Sequence, residues 1–169
     1  MLKREILFRG KRLDNGRWVE GFYSNLYIEE KGKEQAIITY QDFYPAYMSY
    51  PYPSVNTVEA EVDPETIGLY TGLNAKKKKI NLSEKIFEGD IFRGLNDNDI
   101  EKYYVVMWIE QRAAFYMVPA DHYCVLKDND LSNDDDFNWL FDDAMLYDFS
   151  SDCSLTKVGN IHDNKELLK

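Results

Sequence analysis

The sequence predicts a mainly β protein: a small barrel, an N-terminal β-hairpin lobe and one short inserted helix. Three observations predict it. Short apolar runs alternate with tight-turn signals from the first residues onward. Tyr103-Tyr104-Val105-Val106-Met107-Trp108-Ile109 is apolar on both faces, as a central strand is. A helical apolar stripe interrupts this pattern at Phe137 to Met145.

The elements follow in order. Glu5-Ile6-Leu7-Phe8-Arg9 and Arg17 to Tyr23 flank Asp14-Asn15-Gly16. Asn-Gly predicts a hairpin with a type I′ turn, whose two central residues need positive φ. Leu26-Tyr27-Ile28 and Ala36 to Tyr40 flank Lys31-Gly32-Lys33 and predict a second hairpin. Thr57 to Val62 alternates polar and apolar, as a half-buried strand does. Pro64 ends it, because proline has no N–H for a ladder. These segments form the N-terminal lobe, residues 1–73.

Residues 74–169 carry the barrel. Ile86-Phe87 leads through the turn Glu88-Gly89-Asp90 into Ile91-Phe92. The run 103–109 turns at Glu110-Gln111-Arg112 into Ala114 to Val118, and Pro119 stops that strand. Leu155 to Ile161 closes the set. Several short, twisted strands with tight turns suit a small barrel.

An acidic insertion, about 120–152, holds the helix. Phe137, Leu140, Phe141, Ala144 and Met145 recur at helical spacing. Ser132 or Asn133 would cap it, and Asp134, Asp135 and Asp136 suit its positive end. Asn138, Asp142 and Asp143 face outward.

Charge is uneven over the 169 residues. The formal net charge is −10. Asp121, Asp128, Asp130, Asp134, Asp135, Asp136, Asp142, Asp143, Asp148 and Asp152, against Lys127, carry nearly all of it. The N-terminal segment is locally basic through Lys3, Arg4, Arg9, Lys11, Arg12 and Arg17. An acidic chain repels a phosphate backbone over most of its surface, so nucleic-acid binding starts with a handicap. Lys76 to Lys79 reads as a solvated loop. No apolar run approaches the ~20 residues that span a bilayer, and no apolar region follows the first charged residues. The expected setting is the cytoplasm, with Cys124 and Cys153 reduced and no membrane partner.

Chemistry-bearing motifs are sparse. The sequence lacks Gly-x-Ser-x-Gly, His-Glu-x-x-His and Gly-x-x-x-x-Gly-Lys. Asp128-Asn129-Asp130 begins like a calcium loop, but Asn133 and Trp139 occupy the positions that need Gly and Glu. No catalytic, cofactor-binding or metal residue is assigned, and no cofactor is expected. His122 beside its neighbouring aspartates is the one acid–base candidate, for a hydrolase.

One segment stands out for recognition. Tyr40, Phe43, Tyr44, Tyr47, Tyr50 and Tyr52 interleave with Pro45, Pro51 and Pro53. Tyrosine gives large contact area with a polar tip, and proline reduces the entropy lost on ordering. Tyr44, Tyr47, Tyr50 and Tyr52 are therefore the candidate interaction surface. The other reading is an extended segment packed over the sheet with its hydroxyls outward.

The order of several signatures resembles one family. They are Arg4-Glu5-Ile6-Leu7-Phe8-Arg9-Gly10-Lys11, Trp18-Val19-Glu20-Gly21, Val62-Asp63-Pro64-Glu65-Thr66-Ile67-Gly68-Leu69-Tyr70-Thr71-Gly72-Leu73, Ile86-Phe87-Glu88-Gly89-Asp90-Ile91 and Val158-Gly159-Asn160-Ile161-His162-Asp163-Asn164. Together these look like the YopX-like proteins of bacteriophages and prophages. The resemblance implies that the barrel is SH3-like and that the host cell is bacterial. It implies no activity. The chain departs from the family at Asn74 to Lys85, where a short glycine-tipped hairpin is usual, and at His162, where an aromatic is usual.

The expected function is that of a non-enzymatic phage or prophage accessory protein acting through protein–protein contacts, with a host or phage protein as partner. Open strand edges also suggest a homo-oligomer. A nucleic-acid-associated factor using the basic N-terminal segment is the alternative, and the His122 hydrolase a weaker one.

Overall fold

The computed structural model describes residues 5–28, 32–44, 54–76, 83–95, 100–110, 113–128 and 155–169. The chain divides into two compact units, Met1–Tyr70 and Thr71–Lys169.

The first unit is an antiparallel sheet. Its strands are β1 (Phe8–Lys11), β2 (Trp18–Ile28), β3 (Lys33–Tyr44) and β4 (Ser54–Glu61), joined by the start of β5 (Gly68–Lys76). Their order is β4-β3-β2-β1-β5. The second hairpin forms as the sequence predicts: Ile28 lies opposite Lys33, and Gly32 takes φ 61°. The first hairpin forms, but not through a type I′ turn. Gly16 has φ 68°, while Asn15 keeps a negative φ. Arg12 N–H donates to Arg17 C=O (3.0 Å) and Gly16 N–H to Arg12 C=O (2.9 Å). The loop is therefore four residues long, and only its last residue needs the left-handed region.

Strand β2 serves two partners. Trp18 to Gly21 pair with β1, and Phe22 to Ile28 pair with β3. Gly21 stands at the changeover. A Cβ there would overlap the Thr39 carbonyl oxygen. The β3 backbone passes so close that only hydrogen fits.

The core face gathers Ile38, Ala36 and Val62, with Phe8, Val19, Tyr23 and Ile67 against them. The Phe8 and Tyr23 rings lie 5.4 Å apart. Beyond β4, Asp63 caps one 3-10 turn, Pro64–Thr66, by accepting the Glu65 N–H. The Thr66 hydroxyl donates to Asp63 C=O (2.7 Å) and accepts the Lys11 N–H (2.8 Å). A single bridge, Arg12 to Val62, ties the end of β4 back to β1.

The second unit holds β6 (Ser83–Phe87), beside β5, and a four-stranded antiparallel sheet. That sheet contains β7 (Asp90–Leu95), β8 (Glu101–Ile109), β9 (Ala114–Pro119) and β10 (Thr156–Asn160), in the order β10-β7-β8-β9. β8 is central, as its doubly apolar pattern requires. Its even face packs Val106 with Phe92, Met117 and Ile86, backed by Leu73 and Ala75. Its odd face packs Val105 with Ile91, Ala120 and Tyr123, backed by Leu167 and Leu168. The mainly β reading holds. The strands stay an open sheet among the described residues and close no barrel.

Two elements lie where the sequence reading placed none. β5 runs from Gly68 to Lys76, a stretch given no strand above. The helix α1 (Ala120–Asp128) starts directly after Pro119 and buries Ala120, Tyr123 and Leu126 at intervals of three. The stripe from Phe137 to Met145 lies outside the described residues.

Gly21→Ala should lower stability by about 1–3 kcal/mol, since the neighbour it meets is backbone and cannot rotate away. Thermal unfolding followed by circular dichroism measures this. An unchanged midpoint would contradict the close approach of β3.

Candidate interaction surface

Opposite residues in an antiparallel pair share a face. The registers of β1 to β4 therefore define the side of the first sheet that points away from its core. Arg9 and Lys11 of β1 stand there with Trp18 and Glu20 of β2. Further along β2, Phe22, Ser24 and Leu26 face Thr39, Ile37 and Gln35 of β3. Val55, Thr57 and Glu59 of β4 complete the surface.

This surface mixes exposed apolar groups with buried ones. Phe22 is 68% exposed and Leu26 46%. Ile37, opposite the serine between them, is buried. Phe22 and Leu26 thus stand open on a face where Arg9, Gln35 and Ile37 are buried. Gln35, opposite Leu26, is also buried, and its side-chain nitrogen has no hydrogen-bond partner among the described residues. An unmet buried donor costs roughly 1–3 kcal/mol.

The basic segment is largely committed within the chain. The Arg9 guanidinium lies 4.9 Å from the Trp18 ring centre, and the Lys11 ammonium 5.5 Å. Arg9 itself is buried. Arg12 grips Asp14 with two hydrogen bonds (2.9 and 2.5 Å) and donates a third to the Tyr40 hydroxyl (2.9 Å). The hydrogen bond from Arg12 holds the Asp14 carboxyl below the usual aspartate range, and the same bond raises Arg12. Charge spent on a neighbouring carboxylate is not available to phosphates. Lys3 and Arg4 lie outside the described residues.

Of the four tyrosines singled out, Tyr44 ends β3 opposite Ser54. Tyr47, Tyr50 and Tyr52 lie outside the described residues, on the connection between β3 and β4.

The second unit offers less chemistry. A cleft of about 210 Å³ is lined by Glu101, Lys102, Tyr103, Ala120, Asp121, Leu167 and Lys169. Tyr103 donates to Glu101 (2.9 Å), a bond that pushes the phenol above its ordinary range. His122 is not part of this lining. It lies on α1 with Nδ1 3.0 Å from the Asp121 carboxylate, and both side chains are substantially exposed. Among the described residues no three His, Cys, Asp or Glu side chains converge to hold a metal. Most of the aspartate cluster lies outside them. No helix among the described residues is long and apolar enough to cross a membrane.

The signature turns are structural. Asp90 is fully buried and accepts the Phe87 N–H (2.8 Å) and the Lys157 ammonium (2.8 Å). His162 donates its backbone N–H to the Asn160 side chain in the turn after β10.

The family model described as YopX protein matches residues 7–169, and the chain belongs to that family. No curated protein matches it.

The Arg12–Asp14 contact has a pH consequence. A carboxyl depressed in the folded state adds stability above its unfolded pKa, and that stability is lost as pH falls through the folded value. Arg12→Ala should therefore move the Asp14 midpoint up into the ordinary aspartate range in a carboxyl-carbon NMR titration. A midpoint that stays put would remove Arg12 as the cause.

Proposed function

We propose that this YopX-family protein is a non-enzymatic accessory factor of a phage or prophage, acting in the bacterial cytoplasm through protein–protein contact. The observation that carries the reading is the patch of Phe22 and Leu26 around Ile37. Large apolar side chains left open side by side on a sheet face suit a partner's apolar side chains.

The nucleic-acid and hydrolase readings have weaker support. Arg12 is matched by Asp14, and Arg9 is buried against Trp18. His122 stands outside the cleft.

Capture from induced or infected host cells tests the proposal. Wild-type protein should retain a defined partner that Phe22→Asp/Leu26→Asp loses. Both substitutions are at exposed positions, so folding stability should change by under about 0.5 kcal/mol each. Equal capture by the two proteins would remove the patch from the account. Salt-sensitive retention of nucleic acid by both would favour the alternative.

A further inference from the structure

The outer edge of β4 is built to accept a strand. Val62 N–H donates to Ala36 C=O (2.9 Å) on the β3 side, and Glu61 C=O accepts the Leu13 N–H (3.0 Å) on the opposite side. Antiparallel alternation then fixes every earlier residue. Ala60, Val58 and Asn56 turn their backbone groups toward β3. Glu59, Thr57 and Val55 turn theirs away. Among the described residues no strand lies on that side of β4, and no hydrogen bond reaches those three. The open stretch is short and bounded, because Leu13 closes it at Glu61.

We propose that this edge pairs with the same edge of a second copy, antiparallel, with Thr57 on the two-fold axis. The register is self-consistent. Thr57 meets Thr57 of the other copy, and Val55 meets its Glu59. Each such pair exchanges two hydrogen bonds through the groups that point outward. Threonine opposite threonine is a favourable cross-strand pair, and no glutamate faces a glutamate.

Neighbouring registers fail on named residues. Centring on Glu59 sets two carboxylates opposite each other and asks for the Glu61 carbonyl that Leu13 holds. Centring on Val55 leaves one outward-facing pair within the strand, because β4 begins at Ser54. The edges of the four-stranded sheet are blunted in other ways. β10 carries a bulge between Lys157 and Gly159, and β9 ends in Pro119. The proposal does not depend on the partner reading above, and it joins the exposed faces of two copies into one wider surface.

Sedimentation equilibrium from about 1 to 500 µM tests it, a span matched to a weak dimer, in salt near 0.15 M to screen the acidic chains. The mass should rise from 19.9 kDa to twice that value with concentration. Thr57→Pro should hold the protein at the lower mass, since the N–H it removes points away from β3. Thr57→Lys sets two ammonium groups across the axis and should do the same, which keeps the test valid if the proline variant folds poorly. A monomer at every concentration overturns the proposal. So does a dimer that survives both substitutions, or a larger assembly whose mass neither variant changes.

Discussion

The second unit depends on one buried carboxylate. Asp90 has no exposed surface, and a bare charge in that position would cost several kcal/mol. The Phe87 N–H and the Lys157 ammonium offset this cost. Lys157 also reaches Glu84 (3.1 Å) and the Lys85 carbonyl (3.3 Å). The consequences spread through the sheet. The turn between β6 and β7 is fixed by Asp90 itself. Its Gly89 donates to Val106 of β8 and accepts from Ile161, just past β10. The Asp90 side chain thus ties the turn to Phe87 and to Lys157 of β10, while the Gly89 backbone ties it to β8.

The first unit uses backbone proximity rather than buried charge. Gly21 lets β3 pass within contact of β2, and Thr66 locks the turn after β4 onto Lys11. In both units the family signatures are consumed by scaffold contacts. Asp63, Thr66, Gly89 and Asp90 each bond to backbone in their own turn or in a neighbouring strand. Outside those contacts the described surface of the first unit keeps the exposed Phe22 and Leu26 and the open edge of β4.

Much of this was legible in the sequence, and the failures have physical causes. The hairpins showed because glycine and polar turn residues separate strands with clear alternation. β8 showed because a run apolar on both faces is covered from both sides. The type I′ expectation failed because Arg12 and Arg17 pair directly, which lengthens the loop and leaves positive φ to Gly16 alone. β5 was hidden because Gly68 and Gly72 interrupt its apolar alternation, and Gly72 takes φ 85° within the strand. The helix α1 was hidden by its brevity, although Ala120, Tyr123 and Leu126 carried its period. The patch of Phe22 and Leu26 was missed because a strand's exposed face cannot be told from its buried face by alternation alone.

The Asp90 carboxylate is first of all a structural tie. Hydrogen exchange of Lys157→Met, resolved by peptide, tests it directly. Removing one partner of a buried pair should cost about 3–5 kcal/mol. Amides of the Phe87–Asp90 turn, β7 and β10 should lose protection together, with β2 and β3 as the internal reference. Protection retained in the turn and β7, with changes confined to β10, would contradict the claim and return Asp90 to the list of groups in need of a function.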